Sequence, residues 1–311
     1  MKAGKAFELL VKTILLHIGF SEVRSDGLYV FDGAPGQMIQ GLADAHNADV
    51  LLEPPVQTPF YTPTRLLIEC KDYCKKVGLD TIRSALGLRE DINHFDIVDR
   101  AELEDRRRNR RIGMTYEYQR FLYQVSVASM SGFTIPGQNF AATHRIPLIE
   151  FNKMPFWREF CAAIGYADRF PAARNPLRIT ENDNELHRVI EQIASKSAVA
   201  ITASGQMIFL YRVSGTETEF DDYYTLHWTS PRAPWILRSG GVEYHFQLPE
   251  HILKLWLENS TTDLDRKITA ITCKTNFLSN MVVYYSKYNC PRIKMISIDR
   301  WMLEDALQKL Q

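Results

Sequence analysis

The tripeptide Glu69-Cys70-Lys71 ends the apolar run Arg65-Leu66-Leu67-Ile68, and a second apolar run, Val50-Leu51-Leu52, begins just after an acid, Asp49. On a strand the side chains at i and i+2 share a face, so Glu69 and Lys71 project together while Cys70 turns to the core. If the two runs pair as a hairpin across the proline-rich stretch Pro54 to Pro63, Asp49 returns to the Glu69 end of its partner. Two carboxylates beside open water positions suit Mg²⁺, with Mn²⁺ as a substitute. A neighbouring ammonium can then orient or polarise the water that attacks a phosphodiester. In that scheme Asp49 and Glu69 ligate the metal together with a main-chain carbonyl near Cys70, and Lys71 positions the water. Asp44, in the same turn region, is the alternative first acid, whereas Asp72 points away from the lysine and is structural.

Positioning such a set takes a helix before it and a strand-helix-strand unit after it. Phe7, Leu10, Val11, Ile14, Leu15 and Ile18 fall on one helical face, and Gly19 sits where a helix stops. Glu8 lies beside that face, placed either to help hold the metal or to sit on the exposed side of its helix. A strand or hairpin follows around Glu22 to Phe31, and Asp80 to Ile92 reads as a helix. Val125 to Ser129, the turn Gly132-Phe133-Thr134, and Ile146-Pro147-Leu148-Ile149-Glu150 then supply strand, helix start and strand.

Taken in this order, these segments resemble the PD-(D/E)xK nuclease superfamily, and most of all its Mrr-type restriction endonuclease branch. Gly4-Lys5-Ala6-Phe7-Glu8-Leu9-Leu10-Val11 is similar to that family's first helix, in which a Phe-Glu pair often stands. The resemblance covers about the first half of the chain. It implies an α/β, restriction-endonuclease-like mixed sheet flanked by helices over residues 1–168, and a Mg²⁺-dependent endonuclease hydrolysing DNA in restriction or anti-phage defence. Asp49, Glu69 and Lys71 would be catalytic, with Glu8 a further metal ligand. There are departures. Ala48 replaces the proline before the acid, and Gly41 to Ala48 is not the glycine-rich turn common in the branch. Glu69 stands where Mrr itself tends to carry glutamine, which favours an ordinary metal site. The insertion Asn93 to Gln124 has no counterpart in the family.

That insertion holds Arg106, Arg107, Arg108, Arg110 and Arg111, five arginines within six positions. They can meet phosphates bidentately and add a salt-dependent affinity, or form a solvated loop balanced by Glu102, Glu104 and Asp105. Tyr116, Tyr118, Phe121 and Tyr123 could stack on bases, but a core-facing helical stripe is the plainer reading. Gln124 and Gln138 read as surface residues, and His46 and His144 as incidental.

Two prolines among Arg169 to Pro176 mark a boundary, and residues 177–311 read as a second, α+β accessory domain that recognises the target or binds a partner. Asn184 to Ile193, His251 to Glu258, Phe277 to Tyr288 and Trp301 to Leu310 read as helices. Val199 to Thr202, Met207 to Val213, Tyr223 to Trp228, Val242 to Leu248 and Arg292 to Ile298 read as strands. Thr272 to Phe277, the helix after it and Arg292 to Asp299 weakly echo Ser129 to Glu150, as a duplicated, inactive nuclease half would. Trp228, Trp235 and Tyr244 are assigned to core packing.

At 311 residues and 45% apolar composition the chain can bury two ordinary cores, and Lys plus Arg equals Asp plus Glu at 37 each, so any phosphate-binding surface is local. The five cysteines show no Cys-x-x-Cys spacing, which argues against a zinc ribbon and for a reducing cytoplasm. Leu9 to Ile18 is interrupted by Lys12 and His17, so neither a signal peptide nor a membrane span is expected. Without a P-loop, a Gly-x-Ser-x-Gly elbow or a His-Glu-x-x-His helix, an ATPase or methyltransferase partner would be a separate chain. A homodimer is compatible with this reading, and RNA stays open as a substrate. The competing reading is a catalytically silent nucleic-acid-binding or sensor module on the same fold.

Overall fold

The apolar stripe of the first helix decides which face of the sheet it covers. In a computed structural model the chain is described over residues 3–34, 36–57, 62–95, 120–165, 183–227, 233–249 and 278–299, with isolated positions at 108, 262, 264–265, 267–269, 271, 301, 304–305 and 308. Helix α1 (Ala3–His17) buries Phe7, Leu10, Val11, Ile14 and Leu15, and Gly19 turns the chain at φ +103, where a side chain would be strained.

Strands β1 (Ser21–Glu22), β5 (Val50–Glu53), β6 (Thr64–Lys71), β7 (Leu122–Ser129) and β8 (Leu148–Glu150) form one sheet in that spatial order. β5 and β6 are antiparallel, whereas β6, β7 and β8 run parallel, so the sheet is mixed. Its central strands are apolar on both faces, as strands covered from two sides must be. Leu66, Ile68 and Cys70 face the layer of α1, while Leu67, Val125 and Val127 face α2 (Leu79–His94) and α3 (Ile135–Thr143). A small meander, β2 (Val30–Gly33), β3 (Gly36–Gln40) and β4 (Ala45–Asn47), packs beside α2 and delivers the chain to Asp49.

Helix α3 begins at Thr134, whose hydroxyl accepts the Gly137 N–H at 3.4 Å, and ends in a Schellman turn. There the N–H of Ile146 reaches the Ala141 carbonyl at 2.9 Å and that of Arg145 the Ala142 carbonyl at 3.4 Å. Arg145 takes φ 53 in this turn, at the position where glycine is usual.

Strands β9 (Ser197–Thr202), β10 (Met207–Arg212), β11 (Tyr223–His227), β12 (Trp235–Ser239), β13 (Val242–Phe246), β14 (Asn280–Lys287) and β15 (Cys290–Ile298) close into a barrel in the order β10-β13-β12-β11-β15-β14-β9. The chain is thus mixed α/β, with a closed seven-stranded barrel where an α+β layer was expected. Trp235 and Tyr244 lie in the barrel core as expected. The helix expected over Phe277 to Tyr288 is instead strand β14, whose Met281, Val283 and Tyr285 point inward with a period of two. It turns into β15 through Tyr288 and Asn289 at φ 52 and 57, a two-residue hairpin turn. The echo of a duplicated nuclease half disappears with that helix.

Other expectations shift in smaller ways. Gln138 is buried rather than superficial, donating its amide to the Phe133 carbonyl at 3.0 Å. Tyr123 packs from strand β7, not from a helix. The expected boundary at 169–176, the helix at 251–258, Trp228, Tyr116, Tyr118 and all of the Arg106 to Arg111 run except Arg108 lie outside the described residues. Arg108 is an exposed helical position. No helix among the described residues is long and apolar enough to cross a membrane.

Sheet and barrel share one core. Helices α4 (Trp157–Ala163) and α5 (Asp183–Ser195) join α1 in a single apolar cluster that also takes in Val199, Phe209 and Tyr211 from the barrel wall. Phe151 is its hub, meeting Phe7 edge-on at 6.0 Å and Phe209 edge-on at 5.1 Å between ring centroids.

A second internal support is Arg65 on β6. Its guanidinium donates to Glu53 at 3.0 and 2.9 Å and to the Tyr123 hydroxyl at 3.1 Å, and lies 3.6 Å from the Phe121 ring centroid. Arg65→Met keeps the stem but forfeits the charged bonds. Because Glu53 remains 31% exposed and partly screened, the expected loss is about 2 kcal/mol, read as a fall in the urea midpoint at unchanged slope. An unchanged midpoint would show that the network contributes nothing net.

Candidate active site

The strand register brings the sequence-derived set together. Val50 pairs with Ile68 and Leu51 with Leu67, so the ladder extended by one step places Asp49 opposite Glu69. Leu51 and Leu67 both face α2, and residues two apart on a strand share a face, so Glu69 and Lys71 belong to that face, while Asp49 sits in the bend just before β5. Cys70 turns the other way into the α1 core, and only its main chain is available to the site.

The bonding is specific. Asp49 Oδ2 accepts the Cys70 N–H at 2.9 Å, and Asp49 Oδ1 accepts from the Asn47 amide at 3.2 Å. Lys71 Nζ donates to Glu69 Oε2 at 2.6 Å. Glu69 and Lys71 open into a cleft of about 550 Å³ whose other walls are His46, Asn47, Tyr73 and the Asp80, Thr81 and Ser84 turns of α2. Asp49 is not among the residues on the cleft wall; it stands behind Asn47, tied to the end of β6.

Charge states follow from these neighbours. Burial works to depress the Lys71 ammonium, but Glu69 and Asp49 outweigh it and hold its pKa above the ordinary lysine value. Lys71 is therefore a cation at neutral pH, able to donate hydrogen bonds and not to accept a proton. Burial pushes the Cys70 thiol well above its usual range, which removes it as a nucleophile. Glu8 is raised chiefly by burial, with Asp49 and Glu69 adding to the rise against the pull of Lys5, which donates to it at 2.7 Å. Lys5 thus holds Glu8, whose charge also feels Asp49 and Glu69.

Two residues that sequence reasoning passed over belong here. Asn47 orients Asp49 from two positions upstream, a spacing legible in principle. His46, read as incidental, lines the cleft and shares a 2.7 Å hydrogen bond between its Nε2 and Asp91 Oδ2. That bond spans 45 positions, and no local pattern announces it. His144 instead packs on Phe140, with ring centroids 4.2 Å apart. Asp44, the alternative first acid, is exposed and caps its own loop through the Ala45 N–H.

The chain matches no protein-family model and no curated protein. Among solved structures it is similar to AF1548, a crystallised protein of unknown function, at 16% identity and a TM-score of 0.33, with 60% of this chain and 79% of that one covered.

The donor set was expected to hold Mg²⁺. Among the described residues no three His, Cys, Asp or Glu side chains converge into a closed cage. A hard cation that keeps much of its water needs only one or two carboxylates, with substrate phosphate oxygens completing its shell. Asp49 and Glu69 fit that requirement, and the absence of paired sulfur or imidazole ligands beside them does not suit structural zinc.

Proposed function

We propose that the Asp49, Glu69 and Lys71 end of the sheet is the active site of a metal-dependent endonuclease with a restriction-endonuclease-like, Mrr-type core, hydrolysing DNA in restriction or anti-phage defence. The observation that carries the reading is the register of β5 on β6, which sets one acid across from a Glu-x-Lys pair at the mouth of an open cleft. Mg²⁺ held by Asp49 and Glu69 would supply positive charge against the developing phosphorane and a more acidic water. Glu69 holds the Lys71 ammonium at 2.6 Å and keeps it protonated. Lys71 then donates to the attacking water or to a non-bridging phosphate oxygen. Asn47 fixes the Asp49 carboxylate, and the Cys70 N–H holds its other oxygen.

Purified protein with Mg²⁺ or Mn²⁺ is expected to nick or cut plasmid DNA and to stop in EDTA. Parallel reactions on single-stranded DNA, methylated DNA and RNA define the substrate. Binding in EDTA with no cleavage under any metal would instead leave the fold as a silent recognition module.

Asn47→Ala tests the orientation of Asp49 separately. Outer-shell partners of metal ligands are commonly worth about 10- to 100-fold in metal affinity or activity, so cleavage should fall by that factor, and raised Mg²⁺ should restore part of it. A variant that cuts at the full rate would remove Asn47 from the site.

A further inference from the structure

On the opposite face of the sheet from the cleft, where the barrel turn between β9 and β10 approaches β6 and β7, lies a second cavity of about 390 Å³. This is within the size range of small-molecule sites. Leu66 and Ser126 form its floor, on the face of the sheet that Glu69 and Lys71 do not share. Phe20 and Tyr284 form one wall, their rings 5.6 Å apart and inclined by 60°.

Three polar side chains lining this cavity are without partners among the described residues. Ser126 is 0% exposed, and its Oγ makes no hydrogen bond, a condition that folded proteins rarely leave unanswered. Gln124 and Arg145 also line the cavity, and neither side chain has a partner among the described residues. Among the described residues no acid lines it; of its two arginines, Arg65 is answered by Glu53 at 2.9 Å, and Arg145, which is exposed, has no ion-pair partner. Arg145 occupies the Schellman position, at φ 53, where glycine would be easier. A hydroxyl, an amide and a guanidinium with free donors call for an oxyanion. The aromatic wall calls for a flat ring on the same molecule.

We infer that this cavity binds a small ring-bearing phosphate monoester, the chemistry of a mononucleotide, with its oxyanion on Ser126, Gln124 and Arg145 and its ring against Tyr284 and Phe20. The inference does not rest on the nuclease reading. The test is calorimetric titration of the full chain with deoxyadenosine monophosphate, deoxyadenosine and inorganic phosphate. The monophosphate is expected to bind, with the nucleoside and phosphate each about tenfold weaker or more. Arg145→Gly should weaken the monophosphate by about 10- to 100-fold while leaving the unliganded melting temperature unchanged or higher, because glycine fits the turn. Ser126→Ala should weaken it without lowering that temperature. Binding kept in Lys71→Ala places the ligand outside the cleft. Absence of monophosphate binding, binding untouched by Arg145→Gly, or binding lost in Lys71→Ala would each overturn the assignment.

Discussion

Lys71→Ala is expected to lower plasmid cleavage by about 100- to 1,000-fold, the usual loss when one preorganised donor to a developing oxyanion is removed. The size follows from the charge state. Glu69 and Asp49 keep the ammonium protonated against the cost of burial, so the lysine offers a fixed positive charge throughout the reaction. The fold should survive: the Glu69–Lys71 pair is partly exposed, at 16% and 20% of its side-chain surfaces, and its loss costs about 1 kcal/mol or less. Circular dichroism and the urea midpoint verify that, while single-turnover cleavage reads the chemistry. A raised pKa also carries a sign. The cationic form persists through neutral and mildly alkaline pH, so cleavage should not decline across pH 7 to 9 through titration of this group. Equal cleavage by Lys71→Ala, with fold intact, would refute the assignment, and a restored rate in Lys71→Arg would reduce the lysine's part to charge alone.

Phe151→Ala is expected to destabilise the whole chain by about 3–5 kcal/mol, the range for emptying a buried aromatic site, and to lower melting by on the order of 10 °C. Phe151 is fully buried and joins α1, through Phe7, to the barrel, through Phe209. Sheet and barrel should therefore unfold in one transition, with near-ultraviolet dichroism and barrel tryptophan fluorescence changing together. For the same reason, a fragment ending near residue 175 should fail to fold: it loses Val189, Ile190, Ile193, Phe209 and Tyr211 from the cluster that covers α1. Two separated transitions in the full chain, or a fragment with native near-ultraviolet dichroism, would mean that the shared core is incidental.

Of the candidate site, the placement of the parts that lie close in sequence was legible. Glu69 and Lys71 share a strand face, and the Asp49 register follows from a hairpin whose two apolar runs could be seen. The α1 stripe was equally plain. The contacts that complete the cleft were not, since His46 meets Asp91, and α2 packs across the sheet, only in the folded chain. Strand β14 failed for a physical reason. Phe277, Leu278, Met281 and Val282 imitate a helical stripe, while the β-branched and aromatic run Val282 to Tyr285 favours extended backbone. Its hairpin turn is Tyr288-Asn289, without the glycine that usually signals such turns. Barrel closure depends on pairings such as Tyr223 with Ser297, which no window of sequence contains.

The sheet's two outer strands set a rule for how copies of this chain could associate. β1 is only two residues long, and its Glu22 is bound to Lys12 at 2.8 Å. β8 is three residues long and buried, with its Leu148 carbonyl already receiving the Gln206 amide at 3.0 Å from the barrel side. Short, charged or occupied edges offer no template for strand addition. Continuing this sheet from one copy into the next is therefore disfavoured at both of its edges, by their shortness on one side and by the barrel's hold on β8 on the other.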